Sequence, residues 1–135
     1  MTVVDTSAVV AVLWSESEAI VFWQLLRDTA SARMSVGTYL EARLVLEGGR
    51  RRGMEGVLDE LVATLDITLE PVTIEQGRIA ADAHRRYGRG SGHPARLNFG
   101  DCFSYALAKA TGEPLLFKGD DFGHTDVATA VAPRA

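Results

Sequence analysis

Cysteine is almost missing from this chain. Cys102 stands alone among 135 residues, so no internal disulfide framework can form, and a structural zinc site has no thiolate pair to build on. Histidine is nearly as scarce: His84, His93 and His124 are far apart in sequence, which again leaves no spacing suited to zinc. Long apolar runs are lacking too. The longest, such as Ala8 to Trp14, is far short of the roughly 20 residues that cross a bilayer. No basic stretch precedes an apolar one at the N-terminus, so no secretory signal is expected. There is no internal repeat and no linker-like tract, which predicts a single domain over residues 1–135. Together these absences predict a compact cytoplasmic protein with no membrane partner.

An excess of positive charge is also absent. The net charge of −4 argues at first against nucleic acid, whose binding rests on phosphate neutralisation by lysine and arginine. The distribution is uneven, however. From His84 to Gly100 there are four arginines (Arg85, Arg86, Arg89 and Arg96), two histidines and no acid. If several of the acids elsewhere are metal ligands, a bound cation offsets their charge, and the global balance excludes little.

What the chain does have is a regular alternation of strand-like and helical segments. Thr2 to Val4 is a β-prone run that ends at Asp5, with a helix expected from Ser7 to Trp14. Glu16 to Thr29 reads as a second helix, Arg33 to Ser35 as a short strand, and Gly37 to Leu46 as a helix ended by Gly48-Gly49. Met54 to Leu65 places Val57, Leu58, Leu61, Val62 and Leu65 on one helical face. Ile67 to Val72 reads as a strand that Pro71 ends or confines to an edge, and Thr73 to Tyr87 as a helix. Gly88 to Leu97 is a glycine- and arginine-rich loop. Asn98 caps an alanine-rich helix to Thr111, and Gly112 stops it. Leu115 to Phe117 is a strand, Lys118 to Asp121 a turn, and a last short strand is expected near Val127 to Thr129. The pattern predicts an α/β fold with a mainly parallel central sheet flanked by helices.

In such sheets, ligands bind beyond the carboxyl ends of the strands. Asp5 ends the first strand, and Asp120 with Asp121 follows a late one. Asp5 also suits a helix N-cap, because Thr6-Ser7 opens a helix. Glu41 falls on a helical wheel between Leu44 and Val45 with Leu40 close by, whereas Arg43 and Glu47 lie on another side. An acid within an apolar arc must be paired, protonated or bound to metal when buried, unless it bends out to solvent. Asp101 stands three residues after Asn98, where a carboxylate can complete a capping box and is favoured by the helix dipole. Hard cations such as magnesium or manganese prefer carboxylate and water oxygens, so an acid cluster at one sheet edge points to them. Such a site can activate water for phosphodiester cleavage.

At these residues the chain resembles the PIN-domain ribonucleases, in particular the VapC toxins of toxin–antitoxin pairs. The matching pieces are Val3-Val4-Asp5-Thr6-Ser7-Ala8, Tyr39-Leu40-Glu41, Leu97 to Ala106 with its Asn98-Phe99-Gly100-Asp101 core, and Leu115 to Phe122 followed by Thr125-Asp126. They occur in the family's order and span essentially the whole chain. The resemblance implies a PIN-like three-layer sandwich with an acidic pocket at one sheet edge. It implies that Asp5 and Asp101 are the principal Mg2+ ligands, with Mn2+ as a substitute, and that Glu41 is a third acid. Asp120 is taken as the fourth, with Asp121 shaping the turn. Thr6, Ser7, Asp121 and Asp126 are further pocket candidates. The implied reaction is hydrolysis of structured or single-stranded RNA by activated water, leaving a 5′-phosphate and a 3′-hydroxyl. Arg85, Arg86, Arg89 and Arg96 become candidate RNA contacts, with Tyr87 and Arg89 as stacking planes. The implied partners are a VapB-like antitoxin and a second copy of the chain, giving a homodimer and a toxin–antitoxin hetero-oligomer. The aromatics of the early helices (Trp14, Phe22 and Trp23) are either core or an apolar groove for that antitoxin.

Other classes fit less well. Aspartate-nucleophile phosphatases need a second aspartate two residues after the first, where this chain has Ser7. A phospho-receiver domain would explain Lys118 but needs an acceptor aspartate after a central strand, and Arg33 to Ser35 ends without one. Within the PIN fold, an RNA-processing nuclease that is not a toxin and a non-catalytic scaffold remain alternatives.

Overall fold

The computed structural model describes residues 1–48 and 53–131. At its centre lies an all-parallel four-stranded sheet in the order β3-β2-β1-β4. The strands are β1 (Thr2–Val4), β2 (Ala32–Ser35), β3 (Ile67–Glu70) and β4 (Leu115–Leu116). Among the described residues the helices are α1 (Thr6–Leu13), α2 (Ala19–Asp28), α3 (Val36–Glu47), α4 (Glu55–Thr64), α5 (Ile74–Tyr87) and α6 (Phe99–Thr111), with a one-turn 3-10 helix at Phe122–His124.

Successive strand residues point to opposite faces, and here both faces are covered. Val4, Ala32, Met34 and Leu116 pack with apolar residues of α1 to α4, including Val9, Leu26, Leu46 and Leu58. Val3 and Leu115 pack with Ala83 of α5 and with Tyr105, Leu107 and Ala108 of α6. The result is the α/β fold expected from the alternation of elements, in the three layers that the family resemblance implies. The half-buried Arg33 of β2 is held by Glu70 at 2.8 Å and by the buried Glu113 at 3.1 Å, so its charge is paired within the sheet layer.

Most element ends fall within a few residues of expectation, as helix termini do. The second helix is shorter than Glu16 to Thr29, because Ser15 adopts a left-handed φ of 52° and α2 opens only at Ala19. Gly48 caps α3, donating its N–H to the Leu44 carbonyl, whereas Gly49 lies outside the described residues. The expected strand at Val127 to Thr129 is a single bridge of Thr129 to Leu115, since β4 is only two residues long and offers little edge to pair with. The arginine loop is pinned at its base, where Arg89 N–H donates to Leu97 O and Leu97 N–H to Tyr87 O.

Two helix starts are drawn close together above the carboxyl edge of the sheet. A Cβ built on Gly37, in the first turn of α3, would lie 2.5 Å from the Phe103 ring of α6, so only glycine permits that approach. This contact sets α3 and α6 side by side over the end of β1.

Candidate active site

Three of the expected acids meet at that edge. Asp5 follows β1 and serves as the N-cap of α1, its Oδ2 accepting the Ser7 N–H at 3.0 Å. It is 2% exposed. A buried carboxylate needs donors, and Asp5 has two more: Ser7 Oγ donates to Oδ2 at 2.7 Å and Ser104 Oγ to Oδ1 at 2.5 Å. The cap and the pocket are thus the same residue, because the first helix begins where the pocket lies.

Asp101 sits in the first turn of α6 and completes the expected capping box. Asn98 Oδ1 accepts the Asp101 N–H at 2.8 Å, and Asp101 Oδ2 accepts the Asn98 N–H at 3.0 Å. Burial pushes its carboxyl up to about 7, against the Asn98 hydrogen bond and with the charges of Asp5, Glu41 and Asp121 adding to the rise. Glu41 of α3 is half-buried and is likewise held above the usual carboxylate range. Burial is the main cause, a hydrogen bond from Thr6 opposes it, and the charge of Asp5 adds to it. Thr6 Oγ1 donates to Glu41 Oε1 at 2.6 Å.

The shelter of Glu41 does not come from the arc read on its own helix. Leu40 and Leu44 are 58% and 60% exposed, Val45 is exposed too, and the buried face of α3 is Thr38, Ala42 and Leu46. Glu41 instead leans on Gly100 of α6, where a built Cβ would collide with its carboxylate. Gly100 is therefore a site residue through its missing side chain, and the sequence signal for it was only its place beside Asp101.

The turn after β4 separates the two neighbouring aspartates. Asp121, at the start of the 3-10 helix, is among the acids whose charge raises the Asp101 carboxyl. Asp120 instead lines an adjoining cleft of about 480 Å³ with Glu18, Phe22, Phe117, Lys118 and His124. Lys118 is held there between Glu16 at 3.1 Å and Glu18 at 3.4 Å.

Among the described residues, no three His, Cys, Asp or Glu side chains stand as a ready-made metal cage. The donor chemistry nevertheless fits a hard divalent cation. Magnesium keeps several waters and is usually held by one or two carboxylates together with substrate phosphate. Asp5, Glu41 and Asp101 offer only oxygen, and the acids that raise one another's proton affinity are relieved by a cation.

The family model for the PIN domain matches residues 2–128. The chain belongs to the PIN-domain family, among the VapC ribonucleases. It is 49% identical over 128 residues to ribonuclease VapC42 of Mycobacterium tuberculosis, a match that covers 95% of this chain and 98% of the relative. The structure of Mycobacterium tuberculosis VapC20, described as a toxin that cleaves the sarcin-ricin loop, shares the fold with a TM-score of 0.73 at 21% identity, covering 98% of this chain and 100% of that one. A toxin–antitoxin complex from Klebsiella pneumoniae aligns with a TM-score of 0.70 at 15% identity, over 97% of this chain and 98% of that one.

The remaining candidates divide around this PIN pocket. Thr6 and Ser7 face its acids, as described. The carboxylate of Asp126 is engaged elsewhere: Tyr105 Oη donates to it at 2.5 Å and Lys109 Nζ at 3.2 Å. The Tyr105 hydrogen bond, opposed by partial burial, holds its carboxyl below the usual range. Arg85 and Arg86 both pair with Asp82, and Arg86 also reaches Tyr105 and lies 4.7 Å over the Tyr87 ring. Arg89 and Arg96 are exposed and have neither a hydrogen-bond nor an ion-pair partner for their side chains among the described residues. Phe22 is core, whereas Trp23 is half-buried in a shallow groove with Val12, Leu13, Val57 and Leu61. Thr38 and Ser104, both buried beneath the acids, carried no local signal as site residues. Among the described residues, no helix is long and apolar enough to cross a membrane.

Proposed function

We propose that this PIN domain is a divalent-cation-dependent endoribonuclease that acts as the toxin of a toxin–antitoxin pair in the cytoplasm, with Mg2+ as its metal and Mn2+ as a substitute. The observation that carries the reading is the convergence of Asp5, Glu41 and Asp101 from three elements far apart in sequence, with a carboxyl at Asp101 raised to about 7 by burial and its acidic neighbours. When bound, the cation activates water and offsets charge on the phosphodiester. Asp5 and Asp101 hold it, the first through a buried, hydrogen-bonded carboxylate and the second from a capped helix start. Glu41, braced by Thr6 and Gly100, orients water toward the same point. Asp121 serves as the fourth acid in preference to Asp120, since its charge adds to the rise at Asp101. Asp126 serves the scaffold through Tyr105 and Lys109. Arg89 and Arg96, whose side chains have no partner among the described residues, are the two of the four candidate arginines left to meet RNA phosphates.

The antitoxin reading is supported by the Trp23 groove, which fits an apolar helix face, and by the acid pocket, which fits a cationic side chain. The homodimer reading is supported by Val36, Leu40 and Leu44, an exposed apolar stripe along α3, with Phe99 exposed at the start of α6. The deciding experiment is cleavage of a looped RNA by the purified protein. Cutting is expected with Mg2+ and is expected to stop on chelation, while growth arrest on expression is relieved by the neighbouring antitoxin gene. Undiminished cutting in chelator would overturn the metal assignment.

A further inference from the structure

Beneath the acids lies a chain of hydroxyls that helix capping does not require. As the N-cap of α1, Asp5 needs only Oδ2, which takes the Ser7 N–H and the Ser7 hydroxyl. Its other oxygen, Oδ1, accepts from Ser104 Oγ at 2.5 Å. A serine hydroxyl has one proton, so with that proton on Asp5 the 2.9 Å contact between Ser104 Oγ and Thr38 Oγ1 must run from Thr38 as donor to Ser104 as acceptor. Both hydroxyls are fully buried, at 0% exposure, so no water competes for either bond. On the opposite oxygen the order is the same: Lys118 N–H donates to Ser7 Oγ at 3.0 Å, and Ser7 Oγ donates to Asp5. The carboxylate is thereby fixed in its plane by one oriented hydroxyl on each oxygen, beside the Ser7 N–H on Oδ2, and each of those hydroxyls is oriented by another donor.

Thr38 also lies beside the donor to the second acid. The single proton of the Thr6 hydroxyl goes to Glu41 at 2.6 Å, with the Thr38 carbonyl oxygen 3.3 Å away as the weaker branch of a shared bond. One turn of α3 is thus linked through a single hydroxyl to Asp5 and through another to Glu41.

We propose that Ser104, oriented by Thr38, is a positioning residue that sets the plane of the Asp5 carboxylate for the divalent cation. The inference rests on the metal reading given above. Groups that orient a ligand from behind typically change metal affinity by about 10- to 100-fold when removed. Ser104 lies in the α6 turn that follows Asp101, so the same helix start carries one acid and orients the other.

The test is Mn2+ binding to the whole chain, measured by calorimetry without RNA, for the wild type, Ser104→Ala, Thr38→Val, Thr38→Ser and the Ser104→Ala/Thr38→Val pair. Ser104→Ala is expected to weaken Mn2+ about tenfold. Thr38→Val, which keeps shape and loses the hydroxyl, should weaken it severalfold, and Thr38→Ser should restore it. The pair should be no worse than Ser104→Ala alone, because Thr38 reaches this oxygen of Asp5 only through Ser104. In cleavage assays the metal concentration for half-activity should rise, with the rate at saturating metal nearly regained. Melting curves identify any variant that does not fold, and the isosteric Thr38→Val with its serine rescue then decides. Unchanged affinity in folded variants, or additive losses in the pair, overturns the positioning role. A wild type that binds no Mn2+ at millimolar concentration overturns the metal reading itself.

Discussion

The floor of the acid pocket and its rim are built on different physical terms. On the floor, Asp5, Thr38 and Ser104 are buried, and each hydroxyl has a defined donor or acceptor. The rim is the chain that leads away from it, the loop running into α6 and the turn after β4, where Arg89, Arg96, Asp120 and Asp121 are exposed and no hydrogen bond or ion pair holds their side chains among the described residues. A polar group without water must be satisfied by fixed partners, and this gives the floor one geometry. Exposed charges are screened and mobile, so the rim can adapt to an RNA or to an antitoxin. On the proposed function, placement of the cation would be a property of the floor, and grip on the substrate a property of the rim.

The comparison is broken most severely at Asp101. Asp101→Asn keeps an acceptor for the Asn98 N–H and so preserves the cap, yet it is expected to lower RNA cleavage on the order of a hundred- to a thousand-fold or more, as loss of a transition-state charge partner does. Cleavage rates with matched circular dichroism check this. The same carboxyl predicts a pH effect. Folded Asp101 holds its proton up to about 7, against 3.8 as its ordinary value, so the folded state binds more protons than the unfolded chain between those limits. The metal-free protein should accordingly lose stability as pH rises from about 4 through about 7. Millimolar Mg2+ should raise the melting temperature most at the upper end, and Asp101→Asn should flatten the profile. A melting temperature that climbs through this window in the metal-free wild type would refute the assignment.

Next in size is Gly100→Ala. The added methyl collides with the Glu41 carboxylate, so either α6 shifts or Glu41 leaves the pocket. A loss of about 1–3 kcal/mol in stability is expected, with cleavage falling at least tenfold, read by denaturant melts beside initial rates. A milder outcome separates the two rim acids. Asp121→Asn should slow cleavage about tenfold, whereas Asp120→Asn should stay within about twofold; the reverse order would return the fourth place to Asp120. The smallest effects belong to Arg89→Ala and Arg96→Ala. Each is expected to weaken RNA binding by only a few-fold and to reduce the salt dependence of binding by about one counterion.

How much of this was legible in the chain follows the same division between local and distant causes. The Asn98–Asp101 cap and the Gly112 stop, with its left-handed φ of 72°, are local chemistry and read directly. The layered fold was readable because strands and helices alternate with clear periodicity. Glu41 was singled out for a reason that did not hold: its helix neighbours Leu40 and Leu44 face solvent, and its shelter is supplied by Gly100, almost sixty positions away. No helical wheel contains that contact. Asp120 and Asp121 are adjacent, so only the direction of one turn decides which faces Asp101. Thr38 and Ser104 look like ordinary polar residues within helices, and their meaning depends on a contact 66 residues apart in sequence.

The place of β1 in the middle of the sheet has a consequence for how the molecule comes into being. Its first strand pairs with β2 and with β4, and Asp5 N–H donates to Leu116 O, so the opening residues have no settled position until the late ones exist. Ser104 meets Asp5 across 99 residues and Lys118 meets Ser7 across 111. A nascent chain on the ribosome, extended only as far as α5, carries Asp5 and Glu41 but cannot assemble the pocket. If that pocket is the cutting site, as proposed, a ribonuclease of this build would have no assembled site for most of its own synthesis and would gain one only as its last strand closes the sheet.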